Sequence, residues 1–284
     1  MESILDWFYS QMVGFLGSFF AQMGDMGVEL FDLSWVQSVV RFFSQLGWAL
    51  FAVSVVVSAF ECGIEYASGR GNLQQPALNA IKGFFAVSLF TTVPIRLYAL
   101  SVSLQGTFAM EITGAGKSIG ELGSEILADM EGTGLLDIAA QAKWGLGTNP
   151  IMLLFAMILM AYAVIKVFFS NLKRGGILLI QIAVGSLYMF SIPRGYTDGF
   201  VQWIKQVIGL CLTAFLQATI LVAGLMVFSD KALLGLGLML AAGEVPRIAG
   251  AFGLDTTTRA NIMSAVYTAQ AAVNTTRTIV QAVK

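Results

Sequence analysis

The sequence predicts an all-α, polytopic transmembrane helical protein, and three observations carry that prediction. First, a hydrocarbon core about 30 Å thick takes about 20 helical residues to cross, and five mostly apolar runs approach or reach that length: Phe42 to Ile64, Gly83 to Leu104, Ile151 to Phe169, Gly175 to Ile192 and Val207 to Phe228. Second, hydrophobic residues make up 57% of the chain and charged residues only 12%, against roughly 25% charge in ordinary globular chains. Third, a shorter apolar stretch, Ala232 to Gly243, follows the last run and reads as a re-entrant or buried hydrophobic segment.

The same composition narrows the function. A net charge of −1 argues against a surface that holds nucleic acid by charge alone. The chain has no histidine, which removes the commonest metal ligand and leaves Ser-His and Cys-His catalysis without its base. Cys62 and Cys211 fall inside predicted spans, where a cysteine behaves as a small hydrophobe. The sequence therefore predicts no enzyme and no cofactor or metal site.

Residues 1–35 form the first region. Ile4, Phe8, Met12, Phe15, Phe19 and Met23 recur at helical spacing, an apolar stripe that predicts an amphipathic helix on the membrane or on a neighbour. The first 40 residues hold five acids and no Lys or Arg, so a cleavable signal peptide lacks its basic start. Surface helices on an anionic cytoplasmic leaflet are usually basic, which places this one outside.

Residues 36–105 carry the first two spans. Glu61 and Glu65 lie one helical turn apart near the inner end of the first and repel unless paired; Arg70, Lys82 or a neighbouring subunit could supply the partner. Arg96 stands inside the second span two residues after Pro94. A charge there is costly against lipid, and a proline kink frees a carbonyl that a guanidinium could satisfy, so Arg96 is expected to face protein or a neighbouring subunit.

Residues 106–149 form an acidic loop with Glu111, Glu121, Glu125, Asp129, Glu131 and Asp137 against Lys117 and Lys143. Helical spacing predicts one short helix over 117–130 and a second over 135–144, and a loop of this length is a contact site for a partner outside the membrane. Gly114-Ala115-Gly116-Lys117-Ser118 imitates a phosphate loop, but position 111, where that motif needs glycine, is Glu. The match is spurious.

Residues 150–254 complete the membrane core, with Lys166, Lys173 and Arg174 expected in a cytoplasmic connection between the third and fourth spans. Arg70 and Lys82 are assigned to the same side, which orders five crossings with the N-terminus outside and the C-terminus cytoplasmic; Arg194 and Lys205 fit that order poorly. Pro193, Arg194 and Gly195 read as a helix stop, and Gln181 and Gln217 as inter-helix hydrogen-bond glue. The stretch Ala232 to Gly243 is only about 18 Å long as a helix and runs into Glu244, Pro246 and Arg247, a charged breaker where a sixth span would have its middle. Gly235, Gly243 and Gly253 would allow close backbone approach at an inter-subunit contact. Residues 255–284 turn polar and predict a cytoplasmic amphipathic tail.

Beyond these physical readings, several strings carry a resemblance. Lys173-Arg174-Gly175-Gly176, Leu179 to Ala183, Ile192 to Tyr196, Leu210 to Gln217 and Val245 to Asp255 resemble the TrbL-like conjugal transfer membrane proteins of Gram-positive mobile elements, which are similar to the VirB-six-like subunit of type IV secretion systems. That resemblance implies a non-enzymatic scaffold or channel subunit in the cytoplasmic membrane. It implies a homo-oligomeric ring, a pentamer among the forms such a ring could take. The implied contacts are the system's ATPases inside, pilin-like or channel components outside, and a relaxase-bound single strand of DNA in passage. The alternative from another class is an ion or solute transporter using Glu61, Arg96 and Glu244.

Overall fold

A computed structural model describes residues 2–21, 29–69, 73–112, 117, 119–128 and 149–251. Every regular element among them is helical. In chain order these are α1 (Glu2–Ala21), a 3-10 turn (Glu29–Asp32), α2 (Ser34–Ala67), α3 (Gln74–Leu89), α4 (Thr92–Ile112), α5 (Ile119–Ala128), α6 (Pro150–Tyr188), α7 (Asp198–Phe228), α8 (Ala232–Ala242) and α9 (Val245–Ala251). The all-α polytopic class expected from the sequence is observed.

The span count is smaller than expected. By length and composition α2, α6 and α7 can cross a membrane, and the α3–α4 pair, bent by 50°, makes a fourth crossing if it counts as one span. The expected third and fourth spans are one uninterrupted helix, α6, of 39 residues, about 58 Å long. It starts on Asn149, whose side chain accepts a hydrogen bond from the Ile151 N–H at 3.0 Å, followed by Pro150 at the first helical position. The Lys173-Arg174-Gly175-Gly176 string does not break it. Arg174 is buried with a polar partner, Gln217, on α7, so its charge needs no loop, and the helical cost of two glycines, about 1 kcal/mol each, is outweighed by packing.

The break between α3 and α4 falls at Phe90 and Thr91, just upstream of the expected kink. Pro94 is then the third residue of α4, where it has no intrahelical donor bond to lose.

α6 and α7 pack antiparallel, Ser170 meeting Gln217 and Gln181 meeting Gln206, and two cores form on them. One gathers α1, α5, the first half of α6, the last half of α7 and α8. The other gathers Phe31, Val36 of α2, α3, α4, the second half of α6 and the first half of α7. In α1 the buried face is Tyr9, Val13 and Leu16, with Met12 and Phe19 packed beside it, whereas Phe8 and Phe15 of the expected stripe are exposed. The helix is apolar nearly all round, so tertiary packing chose the face.

α5 confirms the helix expected in the acidic loop, and α1 packs on it. The helix expected over 135–144, the tail 255–284 and Gly253 lie outside the described residues. α8, the short apolar segment, folds back along α7 as a hairpin. A Cβ on Gly235 would sit 2.6 Å from the Gly224 carbonyl oxygen and from the Phe228 backbone, and one on Gly224 would sit 2.7 Å from Met239. These two glycines allow the approach.

Candidate functional site

Charged groups in an apolar chain are costly to keep, so the places where they are held are the candidate sites. Among the described residues, three clusters join helices distant in the chain, and a separate pair, Lys117 with Glu125 at 2.6 Å, lies in the acidic region.

The first lies where the end of α2 meets the turn between α6 and α7. Ser54, Ser58 and Glu61 recur on one face of α2. Ser54 Oγ donates to the Phe190 carbonyl at 2.5 Å, and Ser58 Oγ to the Pro193 carbonyl at 3.1 Å. Arg194 Nη2 then donates to Glu61 Oε1 at 2.6 Å, and its Nε to the same oxygen at 3.1 Å. The guanidinium also lies over the rings of Phe190 and Tyr196 at 5.4 and 5.5 Å. The turn can close because Gly195 has φ 92°, a left-handed conformation, and a Cβ there would stand 3.0 Å from Asn79 Nδ2. Hydrogen bonding to Glu61 is the main influence raising the Arg194 pKa above its ordinary value. The result is a polar cleft of about 410 Å³ with Ser58, Glu61, Glu65, Asn79, Arg194 and Tyr196 on its walls. Glu65 is exposed at its rim and has no ion-pair partner among the described residues.

The second cluster was hidden in the sequence. Arg174, only 3% exposed, donates to Asn171 Oδ1 on its own helix and to Gln217 Oε1 on α7; Ser170 Oγ donates to the same Gln217 oxygen at 3.1 Å. Its hydrogen-bond acceptors are neutral amides, and among the described residues it forms no ion pair. Two turns along, Gln181 Nε2 donates to Gln206 Oε1 at 3.1 Å, and Trp203 Nε1 to the Gln181 carbonyl at 2.7 Å. Both glutamines expected as glue do bridge α6 to α7. Arg174 escaped notice because a basic pair before two glycines reads as a loop; the apolar runs on both sides, unbroken by proline, were the signal for a helix.

The third cluster joins α6 to the α8–α9 junction. Lys166 Nζ lies 3.1 Å from Glu244 Oε1, and Arg247 Nε 2.8 Å from Glu244 Oε2. Gly243 leaves room for the lysine stem: a Cβ there would meet Lys166 at 2.9 Å. The hydrogen bond from Lys166 leads the influences that hold the Glu244 carboxyl below its ordinary pKa, with the charges of Lys166 and Arg247 adding to it. Pro246 is the second residue of α9, inside its first turn.

Arg96 finds no partner within its own chain among the described residues. It is exposed on α4, and no hydrogen bond or ion pair reaches it among the described residues, so the carbonyl near Pro94 is not its partner. Lys82, Arg194 and Lys205 all lie toward one end of the bundle, since Asn79 meets Gly195 and Gly83 meets Pro193. Lys173 and Arg174 stand mid-way along α6 and not in a connection. Of Glu61, Arg96 and Glu244, Glu61 alone lines the polar cleft. Among the described residues, no group of three or more Cys, Asp or Glu could hold a metal ion.

With this geometry in place, a family model described as conjugal transfer protein TrbL matches residues 1–284. The chain belongs to the TrbL family of conjugal transfer proteins. No curated protein and no solved structure matches it. As a TrbL-family chain with several membrane-length apolar helices, it is a multi-pass membrane component of a conjugal transfer, type IV secretion, system. Its clusters fasten helices to one another.

Proposed function

We propose that this TrbL-family chain is a non-enzymatic scaffold and channel-wall subunit, assembled as a homo-oligomeric ring in the cytoplasmic membrane. The observation that carries the reading is the uneven burial of its long helices. The most apolar window of α2 is 22% buried, against 50% and 56% for α6 and α7. Val53, Val56, Phe60 and Ile64 on α2 are exposed apolar side chains, a surface suited to lipid and to neighbouring subunits. Arg96, exposed within the bent α3–α4 pair, needs a neighbour or water for its charge.

In this reading the end bearing Lys82, Arg194 and Lys205 faces the cytoplasm, following the positive-inside rule. Four crossings then place α1, α5 and the start of α6 together outside, in keeping with their mutual packing. Residues 150–254 act as the membrane core and 106–149 as the outer contact region, with the ATPases met inside and channel parts outside. A transporter reading has less support, because Glu61 and Glu244 are closed in separate ion pairs.

Cross-linking tests the ring. Single cysteines at Val53 or Phe60, in a variant lacking Cys62 and Cys211, should give a ladder of inter-subunit products in membranes, and proteoliposomes of the purified chain should pass no ions or small solutes. A strictly monomeric particle in nanodiscs, or solute flux from the chain alone, would sink the reading.

A further inference from the structure

Between the bent α3–α4 pair and the first half of α7 lies a groove of about 490 Å³. Its walls are apolar, with Phe85, Leu89 and Val93 on one side and Trp203, Ile204 and Ile208 on the other, and Lys82 is its one charged lining residue. The 50° bend at Phe90 and Thr91 shapes the groove, and Trp203 is held in place by its bond to the Gln181 carbonyl and by stacking on Phe200 at 5.3 Å. Lys82 is exposed and makes no hydrogen bond or ion pair among the described residues.

We infer that this groove binds one acyl chain of an anionic phospholipid of the phosphatidylglycerol type, with the lipid phosphate on Lys82. Three features select that occupant. The groove wall on α7 runs from Phe200 to Ile208, about 12 Å of helix and near the ~15 Å depth of one leaflet. Its cation sits at one end, as a headgroup needs, and the remaining lining is hydrocarbon-like. Phe85, Leu89, Val93 and Ile208 are also substantially exposed on the outer surface of a membrane-length helix group, so a chain can enter sideways from the bilayer. Basic positions beside transmembrane helices bind anionic headgroups by this charge pairing. A peptide segment would bring unsatisfied backbone groups into a lining that offers almost no polar partners.

Native mass spectrometry of the full chain, taken from nanodiscs of equal phosphatidylglycerol and phosphatidylcholine, tests the assignment. Wild type should retain one phospholipid, enriched several-fold in phosphatidylglycerol. Lys82→Gln should abolish that enrichment, and Leu89→Trp, a half-exposed wall position, should remove the retained lipid of either kind while the protein stays monodisperse. A photo-reactive side chain at Val93 should label lipid. No retained lipid in wild type, retention unchanged in both variants, or labelling of a second copy of the chain would each overturn the assignment.

Discussion

Glu61 and Arg194 lie 133 residues apart in the chain and meet through two donors on one carboxylate oxygen, at 2.6 and 3.1 Å. The pair ties the end of α2 to the turn that reverses α6 into α7, and two serine hydroxyls one and two turns earlier fasten the same seam. Arg194→Lys keeps the charge but loses the fork and the ring stacking. It should lower thermal stability nearly as much as Arg194→Ala, and Glu61→Gln combined with Arg194→Ala should be less than additive in a double-mutant cycle. Full additivity would mean that the two residues act independently.

Acid should loosen the α8–α9 junction. The folded-state pKa of Glu244 is depressed below its ordinary value of 4.5, so its contribution is fully present above 4.5 and is lost as pH falls through the folded value. Thermal unfolding followed from neutral pH downward should show a loss below about pH 4.5 that Glu244→Gln shows less. An identical acid profile in that variant would remove Glu244 from the account.

Gly235 and Gly237 are two residues apart on α8 and should answer oppositely. A side chain at Gly235 meets backbone at 2.6 Å, whereas one at Gly237 meets nothing within 4 Å. Gly235→Leu should therefore destabilise by about 3 kcal/mol or more, since backbone cannot step aside. Gly237→Ala should stabilise by about 0.5–1 kcal/mol through helix propensity alone. Detergent-solubilised unfolding of both variants gives the comparison.

The buried Arg174 cluster predicts an asymmetry. Gln217→Leu leaves a guanidinium that is 3% exposed with Asn171 as its remaining acceptor and should cost about 3 kcal/mol or more. Arg174→Met takes the charge away, leaves Gln217 bonded to Ser170, and should cost about 1–3 kcal/mol. Equal losses would contradict the view that the cation is the expensive partner.

Much of this was legible from residue pattern. The first span, the fifth, the helix stop at Pro193 to Tyr196 and the short apolar helix after Phe228 follow from run length and from proline and glycine chemistry. Local pattern failed where partners far along the chain decided the outcome. Arg174 reads as a loop charge until Gln217 is placed beside it, and with that one residue the count falls from five crossings to four at most. For Arg96, expected to face protein or a neighbouring subunit, the chain itself supplies no partner among the described residues. Gly235, expected at an inter-subunit contact, packs on Gly224 of its own chain.

Orientation has a direct test. In a variant lacking Cys62 and Cys211, cysteines at Ser124 on α5 and at Tyr196 in the turn are both exposed positions. The first should label from outside the cell and the second only after permeabilisation. Labelling of both from one side would overturn the four-crossing arrangement.

In-frame deletion with a mating assay bears most directly on the central claim, that this chain is a required structural part of a conjugal transfer machine. Transfer from the deleted donor should fall to background and return when the wild-type chain is supplied in trans, with donor growth unchanged. Undiminished transfer from the deleted donor would contradict the account.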